Sequence, residues 1–89
     1  MHEASLMTNL MRRLGDVARA EGATRIVGVS VWLGALSHFS AAHFEEHFIE
    51  AARGTLAEGA ALDITLSDDV DDARAADVVL LDVDVEVAS

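Results

Sequence analysis

From residue 3 to residue 21 the apolar positions recur at three- and four-residue spacing. Leu6, Leu10, Leu14 and Val17 form a stripe, with Met7, Met11 and Ala18 beside it. That is the period of a helix with one buried face. Arg12, Arg13, Asp16 and Arg19 fall between those positions, and Gly22 suits a left-handed helix end. Gly15 weakens the middle by about 1 kcal/mol, so packing rather than intrinsic propensity must hold this helix. The period then drops to two. Val27, Val29, Val31 and Leu33 alternate with Ile26, Gly28, Ser30 and Trp32, which predicts a strand over Thr24 to Leu33 with the first set as its core face.

Gly34-Ala35-Leu36-Ser37 breaks that alternation, and Ser40 is placed to cap a second helix running to about Arg53. Phe44, Phe48, Ala51 and Ala52 form its apolar side, and His43, Glu46, His47 and Glu50 are expected toward the opposite side. Gly54 and Gly59 bracket a turn. Ala61 to Leu66 is a short strand with Leu62, Ile64 and Leu66 inward, and Val78 to Val87 a final one with Leu81, Val83, Val85 and Val87 inward. The order helix-strand-helix-strand-strand predicts an α+β domain, two helices packed on one face of a three-stranded mixed sheet. Residues 1–89 read as a single domain in which 67–77 is an acidic loop, without proline or internal repeats.

Composition narrows what this domain does. An apolar fraction of 52% suits a packed fold, although a domain this short buries only about 60% of its unfolded surface. Cysteine is absent, which excludes disulfides, thiolate zinc sites and thiol catalysis. The net charge of −10, with no lysine and dispersed arginines, argues against nucleic acid. The start of the chain has no signal-peptide pattern, and no run approaches the ~18 apolar residues of a membrane span, so a soluble cytoplasmic protein is expected. The carboxylates of Asp68-Asp69-Val70-Asp71-Asp72 and of Asp82, Asp84 and Glu86 read as solvated surface, or as an attraction for cations or a basic partner.

The candidate chemistry lies in the histidines. A methionine followed by a bulky histidine is normally not trimmed, so the mature chain is expected to begin Met1-His2. It then offers the α-amine, the main-chain nitrogen of His2 and its imidazole in one short chelate. Nickel(II) and copper(II) favour square-planar nitrogen donors of this kind. A histidine at position 2 also arises by chance, and the residues alone leave that open. Histidines 43 and 47 share a helix face at four-residue spacing and are within reach of one metal, or are simply surface residues. The string His43-Phe44-Glu45-Glu46-His47 also fits the H-x-x-E-H peptidase pattern. Those enzymes need a further ligand and a cleft for which this chain has no room, so no enzyme is expected. His38 follows the glycine turn and is a fourth donor if that turn approaches the amino terminus. Otherwise it bonds backbone. Trp32 either marks a partner surface or covers the open side of a thin sheet.

Several segments in one order resemble the HypA/HybF family of hydrogenase-maturation metallochaperones. They are Met1-His2-Glu3-Ala4-Ser5-Leu6, the strand and turn Val29 to Ser37 ending Gly34-Ala35-Leu36-Ser37, Glu46-x-Phe48, the stretch Ala52-Arg53-Gly54-Thr55 to Leu62, and the closing strand. The resemblance covers residue 1 to about 66 and again about 76 to 87. It implies a nickel-binding domain that delivers Ni(II) to the large subunit of [NiFe]-hydrogenase, or to urease in related members, with a maturation GTPase as partner. It implies nickel ligation by Met1 through its amine, by His2 through imidazole and main chain, and by Glu3 through its main chain or as a supporting carboxylate, while His38 is a fourth donor only if its turn approaches them. Family members carry a zinc module of two Cys-x-x-Cys pairs between the last two strands. Here Ser67 to Asp77 stands in that place, so no structural zinc is expected, and homodimer formation and partner contact are left open. The alternative is an interaction or regulatory module of the same fold that works without metal.

Overall fold

The computed structural model describes the backbone from His2 to Ala88 and the side chains from Ala4 to Ala88. Five elements follow in order: α1 (His2–Glu21), β1 (Ala23–Leu33), α2 (Ala41–Ala52), β2 (Ala61–Leu66) and β3 (Val78–Val87). The strands make one mixed sheet in the order β2-β1-β3, with β1 parallel to β2 and antiparallel to β3. Parallel pairing of β1 and β2 requires a crossover, and α2 supplies it. Both helices contact the sheet and each other, so the apolar stripe of each is buried in one shared layer.

Helix α1 buries Met7, Leu10, Leu14 and Ala18, with Leu6 and Met11 packed at the margin of the core. It ends at Gly22, whose φ of 64° is the left-handed cap expected of a glycine there. Helix α2 starts at Ser40, whose hydroxyl accepts a hydrogen bond from the His43 main-chain N–H at 3.1 Å. Phe44 and Phe48 then point into the core and are almost wholly inaccessible. Burial stabilises each by about 1.5–3 kcal/mol, and they are the largest side chains at the centre of the domain.

The alternation expected along β1 fails at one point. Ile26 is buried and Val27 is 36% exposed, the reverse of the expected faces, whereas Val29, Val31 and Leu33 point inward as expected. The cause is an extra residue in β1. Ile26 pairs with Val85 and Gly28 with Asp84, so Val27 bulges out and the side-chain phase shifts by one. Before the bulge, β1 has no β2 partner, and the Ile26 N–H donates to Leu56 O at 2.9 Å instead. A second irregularity corrects β3. Ser30 pairs with Asp82 and Val31 with Leu80, which throws Leu81 outward at 55% exposure and turns Leu80 toward the core. Leu66 and Val87, expected inward, are likewise exposed, each at the last position of its strand.

Among the described residues no helix covers the other face of the sheet. Trp32 lies there, half-buried, in register between Thr65 of β2 and Val79 of β3. Among the described residues no helix is long and apolar enough to cross a membrane.

Candidate metal centre

The site is organised by the turn that follows β1. Gly34 N–H donates to Asp77 O at 2.9 Å, Leu36 N–H to Ala75 O, and Ser37 N–H back to Gly34 O at 3.0 Å. These bonds hold the turn against the segment that leads into β3. A side chain at residue 34 would not fit, because a Cβ there would lie 2.2 Å from Ala75 O and 2.6 Å from Arg74 O. The glycine is thus required by the close approach of two backbones. The chain then passes through His38 with φ 67°, a left-handed conformation that non-glycine residues enter at a cost. This places the imidazole outside the core, exposed.

His38 lines an open cleft of about 770 Å³ together with Leu6 of α1, Phe39, Arg13, Arg74 and Asp77. The turn and the first half of α1 therefore share one cavity. Met1 and the side chains of His2 and Glu3, the other three expected ligands, lie outside the described residues. The α1 backbone does begin at His2. Helix-opening N–H groups have no acceptor within the helix, so the His2 main-chain nitrogen is not engaged by α1.

Histidines 43 and 47 correct the sequence expectation of an outward face. Both are half-buried, because they sit one position ahead of the buried Phe44 and Phe48 and are covered by neighbouring side chains. Their Nε2 atoms are 2.8 Å apart, one imidazole donating to the other. Phe39 packs against both rings, with centroids 5.5 Å from His43 and 6.5 Å from His47, and also contacts Phe44 edge-on. On its other side His47 borders a second cleft with Ala4, Met7 and Thr8 of α1. The four-residue spacing pointed to this pair in the sequence, but Phe39 as its cover had no sequence signal. No group of three or more His, Cys, Asp or Glu side chains converges among the described residues.

The acidic segment 67–77 is arranged differently. Two of its carboxylates bond its own backbone: Asp69 Oδ1 accepts from Asp71 N–H at 3.0 Å and Asp72 Oδ1 from Arg74 N–H at 2.8 Å. Ser67 Oγ accepts from Asp69 N–H. These are side-chain turns that order a polar loop. With no thiolate or imidazole, the segment does not fit a tetrahedral zinc site of the thiolate type.

A small α+β domain with a paired His43 and His47 and an exposed His38 carries nitrogen donors of the kind that bind transition metals. Residues 1–70 match the family described as "Hydrogenase/urease nickel incorporation, metallochaperone, hypA". The chain is 41% identical over 62 residues to the hydrogenase maturation factor HypA of Chlorobaculum tepidum, covering 70% of this chain and 55% of that protein. It is 42% identical over 64 residues to the corresponding factor of Chlorobium limicola, at 72% and 55% coverage. The chain belongs to the HypA family of nickel metallochaperones of hydrogenase maturation. It spans about half the length of the curated relatives it matches. The solution structure of the Ni metallochaperone HypA from Helicobacter pylori has the same fold. Its TM-score is 0.80 at 18% identity, over 97% of this chain and 98% of that one.

Proposed function

We propose that this protein is a nickel-binding metallochaperone domain that carries Ni(II) as cargo for maturation of [NiFe]-hydrogenase, held at the amino terminus by Met1, His2 and Glu3 with His38 as the added donor. The observation that carries the reading is the cleft that His38 shares with Leu6. It brings a turn imidazole, exposed and held in a costly backbone conformation, to the helix that starts at His2. Family membership supplies the cargo, since the matched region includes Met1-His2-Glu3.

The chemistry has to overcome one opposing field. A helix start carries positive partial charge and disfavours a cation. Ligation through a deprotonated main-chain nitrogen of His2 places a negative charge at that point, and the Glu3 carboxylate in the first turn adds another. With the amine and the imidazole, the terminus supplies three nitrogen donors, and His38 completes a planar set. The acceptor is the hydrogenase large subunit, with a maturation GTPase in attendance, in the cytoplasm; the family description also admits urease as the destination. No catalytic step is assigned to the domain.

The test is a calorimetric nickel titration of the protein beginning at Met1 beside a version with Gly-Ser placed before Met1. The extension converts the amine to an amide and moves the imidazole away from the terminal position. One tight equivalent is expected in the first protein and its loss in the second, with unchanged circular dichroism because the extension lies outside the packed layer. His2→Ala should do the same. Equal affinity in all three would overturn the terminal chelate and favour the reading of a metal-independent interaction module.

A further inference from the structure

We propose that His43 and His47 form a second metal site, a two-imidazole clip for a nitrogen-preferring divalent transition ion, separate from the amino-terminal chelate. The geometry is already close to what such an ion needs. At metal–nitrogen distances of about 2.0–2.1 Å, two donors at a right angle stand about 2.9 Å apart and two tetrahedral donors about 3.3 Å apart. The Nε2 atoms of His43 and His47 are 2.8 Å apart, with ring centroids 4.6 Å apart and planes inclined at 50°. An ion would take the place of the shared proton, the donating ring moving its hydrogen from Nε2 to Nδ1, and no heavy atom need travel far.

The surroundings favour a site over an idle pair. Helical spacing of four residues fixes both imidazoles on one face, so their convergence follows from the regular backbone of α2. Phe39 packs against both rings and covers one side of the pair, which restricts the ring rotamers. The other side opens on the cleft that His47 shares with Ala4 and Thr8 in the first turns of α1. Since no third described His, Asp or Glu joins the pair, the remaining positions are open to water. Two protein ligands hold an ion weakly and release it readily. The clip therefore lies beside the helix start on which the terminal chelate is proposed and holds cargo there at lower affinity. It stands on the His43–His47 geometry alone and does not depend on the terminal site.

The experiment uses the Gly-Ser-extended protein, in which terminal chelation is blocked, titrated with nickel chloride. One weak equivalent is expected, with the ring protons of His43 and His47 broadened first in NMR spectra. His43→Gln and His47→Gln, each keeping a polar side chain at a half-buried position, should each weaken that equivalent by about a hundredfold, the usual scale for losing one arm of a two-point attachment. Absence of any equivalent in the extended protein, or an equivalent unaffected by either substitution, would overturn the clip. The double substitution in the protein beginning at Met1 separates the two sites. Retention of one tight equivalent fits two independent sites, and its loss would show that the helix pair is the only one.

Discussion

Two neighbouring regions at one end of the sheet present opposite chemistries to a metal ion. His47 borders the first turns of α1 and meets His43 through their Nε2 atoms, and His38 stands exposed on a constrained turn. The 67–77 segment is richer in charge, yet Asp69 and Asp72 are occupied with the N–H groups of Asp71 and Arg74. Formal charge would point a cation to the aspartates, and donor geometry points it to the histidines. For a nitrogen-preferring ion the second consideration decides, because carboxylates and water suit harder ions. The two regions nevertheless meet, since the turn carrying His38 is bonded through Gly34 and Leu36 to Asp77 and Ala75.

That junction offers the largest effect. Gly34→Ala places a methyl against the carbonyls of Ala75 and Arg74, neither of which is a flexible side-chain end. The backbones must separate, at about 3 kcal/mol, and thermal melting should fall by roughly 15 °C. A melting temperature within a degree or two of the parent would show that the acidic segment is not needed to position the turn.

His38→Gly separates fold from function at the same turn. Glycine accepts the φ of 67° without the penalty a histidine bears, so stability should hold or rise slightly. Nickel affinity at the tight site should drop by about tenfold, or roughly 1.4 kcal/mol, through loss of the added donor. Unchanged affinity would remove His38 from the ligand set and leave the three terminal groups.

The smallest expected effect is in the acidic segment. Replacing Asp68 and Asp71 together by Asn removes two charges without touching the carboxylates of Asp69 and Asp72 that bond backbone. Tight nickel binding should stay within about twofold, since exposed charges at a distance are largely screened at physiological salt. A fall of tenfold or more would move the cargo to the aspartates and reverse the comparison.

How much of this was legible in the sequence depended on whether a local rule had a local cause. The helix stripe Leu6, Leu10, Leu14 and the caps at Gly22 and Ser40 were read directly, because capping and periodicity are settled within a few residues. The mixed sheet and its covering helices followed from element order. Ile26, Val27 and Leu81 were misassigned because bulges are set by pairing between strands far apart in sequence. The burial of His43 and His47 was missed for a similar reason. Phe39 and α1 cover them, and a helical wheel drawn on α2 alone shows neither. Of the proposed ligands, His38 was legible only as an exception to the turn, and its cleft with Leu6 emerges only in three dimensions.

The central claim is that the cargo is held by nitrogen donors of the terminus and the histidines and not by carboxylates of the acidic segment. X-ray absorption at the nickel edge, on protein beginning at Met1 and loaded with one equivalent, reads this without any substitution. A planar site with a short nitrogen shell and imidazole outer-shell scattering is expected. A six-coordinate, oxygen-dominated site without imidazole scattering would contradict the account.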